Sequence, residues 1–356
     1  LWEELGQAVW LDFIERSLLT TGRLARLVAE DGVRGVTSNP SIFQNAIEGS
    51  DSYDDAVTEL LAGGGELSTT DVYEALAIAD IQAAADVLRL LWEESGGSDV
   101  FVSLEVSPHL AHDTAGTVEE ARRLWRQVDR PNLMIKVPAT AAGLPAVETL
   151  IGDGINVNVT LMFSLADYEG VAAAYLAGLE RCAEPSRVAS VASFFISRVD
   201  SVVDAQLDAI NSTEARALRG TAAVANACMA YRRFEEIFHG GAFAVHRDRG
   251  AKVQRPLWAS TSTKNPEYDD VKYVEELVGP ETVNTIPTAT LDAYRDHGRP
   301  GRALAEGVQS CSEQLEALHR IGIDLDAVTA QLQVDGVAAF AASFDQLIAA
   351  LDAARA

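Results

Sequence analysis

Leu133-Met134-Ile135-Lys136-Val137-Pro138 is an apolar run interrupted by one amine, and the fold and the chemistry of this chain are read outward from it. Its length and its β-favouring side chains predict a buried strand. The chain holds 356 residues with only four lysines against twenty-four arginines, and Lys136 is the first of those four. A sequence that spells nearly all its positive charge with Arg, yet keeps a Lys inside such a strand, points to a need for an amine. A guanidinium stays protonated and is a poor nucleophile, whereas a desolvated ammonium gives up its proton and can attack a carbonyl to form a Schiff base. Taken alone, the residue fits equally well a strand-end lysine that carries its charge to water on its aliphatic stem.

Seven further short β-rich runs accompany this one, at residues 8–13, 35–38, 100–106, 155–161, 187–195, 256–260 and 282–285. Helical patterns lie between them at 15–30, 70–94, 118–127, 144–151, 165–182, 201–210 continuing through 238, and 268–278. Strands separated by helices imply right-handed βαβ crossovers and a parallel sheet, and eight such units predict a closed (β/α)8 TIM barrel. The helix opening at Thr70, taken as its N-cap, carries Asp71 and Glu74 in its first turn and Val72, Leu76, Ile81, Ala85 and Leu88 at helical spacing. It is longer than a minimal crossover needs, so the barrel is decorated there. Pro287 and Gly298-Arg299-Pro300-Gly301 interrupt the pattern before helices at 304–320 and 325–354. The chain is therefore read as a single barrel domain over 1–356 with a helical extension at 301–356. Gly63-Gly64-Gly65 is expected to be a surface loop.

With 53 acidic and 28 basic side chains the formal charge is −25. So acidic a surface repels nucleic acid and anionic membrane, and both are discounted as partners. An anionic small molecule remains compatible where the few cations are concentrated. Cys182, Cys228 and Cys311 are distant in sequence and show no metal-ligand spacing, which fits free thiols in a reducing cytoplasm. No apolar run reaches the roughly 20 residues of a membrane span, and no signal peptide is read.

Barrel enzymes carry reacting groups at the C-terminal ends of their strands. Here those ends hold Asp12, Asn39, Glu105, Lys136, Asn158 with Thr160, and Ser193. Any one of them fits a strand entering a loop; it is their number around one mouth that suggests a site. Two carboxylates beside an amine supply the acid and base that Schiff-base aldol chemistry needs, and the amide and hydroxyls suit sugar hydroxyls.

At these residues the chain resembles the transaldolase family. The resemblance rests on residues 35–43 (Gly-Val-Thr-Ser-Asn-Pro-Ser-Ile-Phe), 134–140 (Met-Ile-Lys-Val-Pro-Ala-Thr) and 156–164 (Asn-Val-Asn-Val-Thr-Leu-Met-Phe-Ser). Trp10-Leu11-Asp12 and Ser103-Leu104-Glu105-Val106 also match, and the motifs fall in the family's order from about Trp10 to the Pro287 region. The resemblance implies that Lys136 forms the Schiff base with a ketose C2. It makes Asp12 the base at the C4 hydroxyl, and Glu105 with Thr160 the pair that moves protons through a water. Asn39, Asn158 and Ser193 would hold the dihydroxyacetone fragment, with Arg198 on the phosphate. The family's Ser-x-Arg after the seventh strand is absent; Ser262 and Lys264 are the candidates instead, with Ser260 as rival, and a Lys keeps the charge but loses the bidentate fork. Glu105 and Phe195 stand where the shorter fructose-6-phosphate aldolases tend to have Gln and Tyr, which favours transfer over simple cleavage.

The implied function is a cytosolic transferase of the non-oxidative pentose phosphate pathway. It moves a dihydroxyacetone unit from sedoheptulose 7-phosphate or fructose 6-phosphate to glyceraldehyde 3-phosphate or erythrose 4-phosphate, as monomer or homodimer, without metal or organic cofactor. A relative with an altered acceptor in a secondary pathway, a fructose-6-phosphate aldolase, and a sugar-phosphate-binding barrel without turnover are the alternatives. His109, His112 and Asp113 form an incomplete ligand set and are better read as loop residues. Gly152-Asp153-Gly154 precedes a strand and lacks the further glycine of a dinucleotide loop.

Overall fold

The structure is a computed structural model that describes residues 1–62, 67–301 and 303–355; the expected Gly63-Gly64-Gly65 loop lies outside them. Eight parallel strands close in sequential order into one barrel: β1 Gln7–Leu11, β2 Val33–Val36, β3 Phe101–Glu105, β4 Leu133–Pro138, β5 Val157–Met162, β6 Ser190–Phe195, β7 Arg255–Ala259 and β8 Thr282–Ile286. All eight expected strands are present, and β4 has the expected bounds. The strands read as apolar runs because they are covered on both faces, by the barrel interior and by the surrounding helices. β1, β4, β5, β6, β7 and β8 are buried throughout. Close approach inside the barrel explains Gly35 on β2, where a Cβ would stand 2.5 Å from the Trp10 ring.

The helices depart from expectation where turn chemistry overrides periodicity. The long helix spans Thr69–Glu94, and its N-cap is Ser68, not Thr70: Ser68 and Asp71 form a reciprocal capping box. The stretch expected at 15–30 breaks into Arg16–Thr20 and Arg23–Asp31 at Gly22, whose φ is +70°. The expected continuation from 201 to 238 is interrupted at Asn211, φ +53°, where Ser197–Ile210 ends, and at Gly220, φ +69°, before Ala222–Phe234 begins. Residues 268–278 yield one helical turn, Lys272–Glu275. Pro40–Glu48 and Thr288–His297 are helices that the sequence reading passed over, each opening at a proline.

After the barrel come Ala303–Glu306, Val308–Arg320 and the 31-residue helix Leu325–Arg355. By length and composition this last helix is apolar enough to cross a bilayer, against the expectation that no run is. Its Val328, Leu332, Phe340, Leu347 and Leu351 are buried. It packs on the Pro40–Glu48, Thr69–Glu94 and Ser197–Ile210 helices and on β5, and so lies across the C-terminal mouth of the barrel. Gln333 fastens it there by donating to the Ala139 and Leu161 carbonyls at 3.1 and 3.2 Å, and Ser41 donates to Ser343 at 2.7 Å.

Candidate active site

Strand register builds the core of the site. Glu105 on β3 stands abreast of Lys136 on β4, and Lys136 abreast of Asn158 on β5, so three polar side chains share one row of the sheet. Lys136 is 5% exposed. Its Nζ lies 3.3 Å from Glu105 Oε2 and 3.3 Å from the Ser38 carbonyl oxygen, with the Phe340 ring of the C-terminal helix centred 5.6 Å away. The amine thus points into the barrel mouth, and the strand-end reading with its charge in water is excluded. The loop after β4 turns back so tightly that a Cβ on Gly143 would sit 1.9 Å from the Pro138 carbonyl oxygen. Glycine is required there for the helix Gly143–Gly152 to start against the strand end.

Asp12 follows β1 at the same mouth. Thr37 Oγ1 donates to Asp12 Oδ1 at 2.7 Å and lies 2.7 Å from Thr285 Oγ1. A hydroxyl has one proton, so Thr285 is the donor to Thr37 and the two threonines form a relay that orients the carboxylate. Burial pushes the Asp12 carboxyl above its ordinary value, more strongly than the Thr37 hydrogen bond and the charges of Lys136 and Lys264 pull it down. Glu105 is raised in the same way: burial dominates, the Lys136 ammonium opposes it, and Asp12 adds a like charge. Both carboxyls sit in a desolvated mouth where nearby cations do not cancel the effect of burial, which makes both better proton acceptors than exposed acids.

A cavity of about 180 Å³ opens above Lys136. Asp12, Asn39, Thr160, Ser193 and Phe195 line it with Lys136, as the sequence anticipated. Thr160 Oγ1 is buried without a hydrogen-bond partner among the described residues and is open to a bound group. Asn39 spends its oxygen on capping the Pro40–Glu48 helix, accepting from the Ile42 N–H at 2.9 Å, which leaves its amide NH2 for a ligand. Phe195 packs against Phe163 at 5.1 Å between ring centroids.

Two expected site residues do not line this cavity. Asn158 sits one layer deeper, donating to Ser103 Oγ at 3.0 Å and accepting from Ser193 Oγ at 2.6 Å, so it meets the cavity through Ser193. Glu105 faces a neighbouring cavity of about 250 Å³, between β3 and the helices Thr69–Glu94 and Thr114–Val128.

Two cations of this acidic chain stand at the rim. Arg198, in the first turn of the Ser197–Ile210 helix, and Lys264 both line the cavity, and neither has a carboxylate within ion-pair distance among the described residues. Burial lowers the Arg198 guanidinium below its ordinary value, with Asp335 opposing. Lys264 Nζ donates to Ser262 Oγ at 2.8 Å, so these candidates act as one unit. Ser260 also lines the cavity, but its hydroxyl is bonded to Ser197 Oγ at 2.9 Å.

Sequence reasoning passed over Thr37, Ser103 and Phe340. Thr37 lay inside a quoted motif but carried no role, since its partner Thr285 is 248 positions away. Phe340 looks like any apolar helix residue until the helix is seen across the mouth. His109 and His112 are exposed, and His109 Nε2 meets Asp345 of the C-terminal helix at 2.7 Å, so it serves as a fastening for that helix.

The family model for Transaldolase/Fructose-6-phosphate aldolase matches residues 9–351. The chain is 52% identical to the transaldolase of Thiobacillus denitrificans over 349 residues, 97% of each chain. It is 49% identical to transaldolase 1 of Streptomyces coelicolor, covering 97% of this chain and 92% of the relative. The transaldolase of Mycolicibacterium smegmatis is also 49% identical, over 98% of this chain and 96% of the relative. With a closed parallel barrel, a buried amine at its mouth and likeness along nearly its whole length, this chain belongs to the transaldolase/fructose-6-phosphate aldolase family.

Proposed function

We propose that the chain is a transaldolase that carries a dihydroxyacetone unit on Lys136, from a ketose phosphate to an aldose phosphate. The observation that carries this reading is the buried Lys136 amine, 3.3 Å from one acid and sharing its cavity with another. In the proposed cycle the amine adds to the ketose C2 carbonyl, and the carbinolamine hydroxyl takes a proton from the Glu105 side, with Thr160 holding the water involved, and leaves as water. Asp12 removes the C4 hydroxyl proton, the C3–C4 bond breaks and the aldose departs. The enamine left on Lys136 attacks the acceptor aldehyde, Asp12 returns its proton to the new alkoxide, and water releases the product ketose. Asn39 and Ser193 hold the three-carbon unit, with Asn158 fixing Ser193, and Phe195 walls the cavity. Arg198 and the Ser262–Lys264 unit take the phosphate.

The whole chain acts as one barrel unit in this reading, with a helical C-terminal extension whose last helix, Leu325–Arg355, closes the mouth. A cytoplasmic place fits three free, buried cysteines. Within the family, Glu105 and Phe195 favour transfer over fructose-6-phosphate cleavage. The test is borohydride reduction with fructose 6-phosphate, followed by turnover with and without erythrose 4-phosphate. A mass increase on Lys136 and strong acceptor dependence are expected. Labelling elsewhere sinks the Schiff base, and acceptor-independent release of glyceraldehyde 3-phosphate turns the reading to an aldolase.

A further inference from the structure

A second cavity lies behind Glu105. It runs inward from exposed Thr70 to Glu105, whose side chain is 5% exposed, and at about 250 Å³ it has room for several water molecules at roughly 30 Å³ each. Its walls are largely apolar, but a polar line crosses it. Glu120 Oε1 accepts from the Ser107 N–H at 2.7 Å, and Glu74 holds Arg123 at 2.5 and 2.6 Å toward the surface. Water needs such partners to occupy a cavity of this size. Lys136 lines the mouth cavity and Glu105 lines this one, so their 3.3 Å contact is the partition between the two spaces.

Schiff-base formation releases one water, and product release consumes one. At both moments a ketose phosphate occupies the mouth, with C2 on Lys136 and its phosphate near Arg198 and Lys264, under the Phe340 lid. We infer that the water formed and consumed at the ketose C2 passes through the cavity behind Glu105, and that Ala77 sets the bore of this passage. The inference rests on the Schiff-base reading above. Amine and ketone give a carbinolamine; its hydroxyl takes the Glu105 proton and the C–O bond breaks. Water carrying the ketose oxygen then leaves on the Glu105 side, and hydrolysis runs the same steps in reverse.

Ala77 is buried on the Thr69–Glu94 helix and lines the cavity, so a larger side chain there grows into the passage without touching the mouth. The experiment follows exchange of oxygen from H2¹⁸O into the C2 carbonyl of fructose 6-phosphate, corrected for uncatalysed exchange. Ala77→Leu is expected to slow enzyme-catalysed exchange at least fivefold and to change KM for the ketose phosphate less than twofold; Ala77→Ser, which leaves the bore open, should exchange like the parent. Leu124→Phe narrows the same passage from the facing helix and should act like Ala77→Leu, which guards against a folding defect in either variant. Parental exchange rates in folded Ala77→Leu and Leu124→Phe proteins overturn the passage while leaving Lys136 chemistry intact. A parent enzyme that neither exchanges oxygen nor is trapped by borohydride overturns the Schiff-base reading itself.

Discussion

The barrel holds a buried ionic cluster at each end, and the two are opposite in charge balance. At the base, Asp99 is fully buried between two guanidiniums, Arg34 at 2.5 Å and Arg255 at 2.6 Å, with the Trp10 indole N–H donating at 3.4 Å. At the mouth, Lys136 pairs with Glu105 at 3.3 Å, whereas Asp12 has no ion-pair partner among the described residues and feels the Lys136 and Lys264 charges only from beyond that distance. Burial pushes all three acids up. At the base the Arg255 and Arg34 charges and hydrogen bonds outweigh it and hold Asp99 below its ordinary value, while at the mouth Asp12 and Glu105 stay raised. Two guanidiniums bonded directly to one acid make a structural tie; acids with at most one such partner are left ready to exchange protons. The same desolvation serves both, and the number of cations in direct contact decides which results.

The largest effect comes from taking away the mouth's one nucleophile. Lys136→Arg keeps the charge, so the fold should persist while kcat falls on the order of 10⁴-fold or more and borohydride labelling disappears. A folded, active Lys136→Arg enzyme breaks the mechanism.

Asp99→Ala strikes the other end and should cost about 3–5 kcal/mol of stability by leaving two buried guanidiniums unpaired, with activity at low temperature little altered. Because its carboxyl is lowered in the folded protein, the stability Asp99 contributes is present above the unfolded value of 3.8 and is lost as pH falls through its lower folded value. Urea denaturation of parent and variant across pH 2–6 checks this; a difference that does not shrink on acidification refutes it.

The mouth predicts the reverse sign. The contribution of the raised Asp12 carboxyl is fully present below 3.8 and is lost as pH rises through its higher folded value, so at pH 7 the charge is a cost. Asp12→Asn should therefore abolish transfer yet stabilise the protein by roughly 0.5–2 kcal/mol at pH 7, the trade expected of a strained site. A lowered Tm would show that the mouth is balanced like the base.

The smallest effect concerns the tuning of Asp12. Thr37→Val removes the hydrogen bond that most favours its charged form, so the acidic limb of kcat/KM should move to higher pH. Lys264→Ala should move it in the same direction by less, and should raise KM severalfold for phosphorylated sugars and little for unphosphorylated ones. A limb that stays in place in both variants removes Asp12 from the catalytic base role.

Strands were the most readable part of this chain, because each is a short apolar run covered on both sides and needs no long-range information to be recognised. Helix ends were less so. Ser68 displaced Thr70 because Asp71 closes the capping box, and Asn211 and Gly220 end helices through left-handed backbone that periodicity does not register. In the site, Lys136, Asp12, Thr160 and Ser193 were found because strand ends of a barrel converge. Asn158 and Glu105 were found too, but not their settings: one is buried beneath Ser193, and the other opens on a second cavity.

The sequence by itself determined the eight-strand barrel, the amine in β4 and the acids at the ends of β1 and β3, since alternation of strands and helices and the position of a polar residue in an apolar run are local properties. Only the tertiary structure decided that Phe340 lies 5.6 Å from the Lys136 amine, that Thr285 steadies Thr37, and that two arginines from different strands clasp Asp99. Those contacts join residues far apart in the chain, and their geometry exists only once the barrel has closed and its last helix has settled across the mouth.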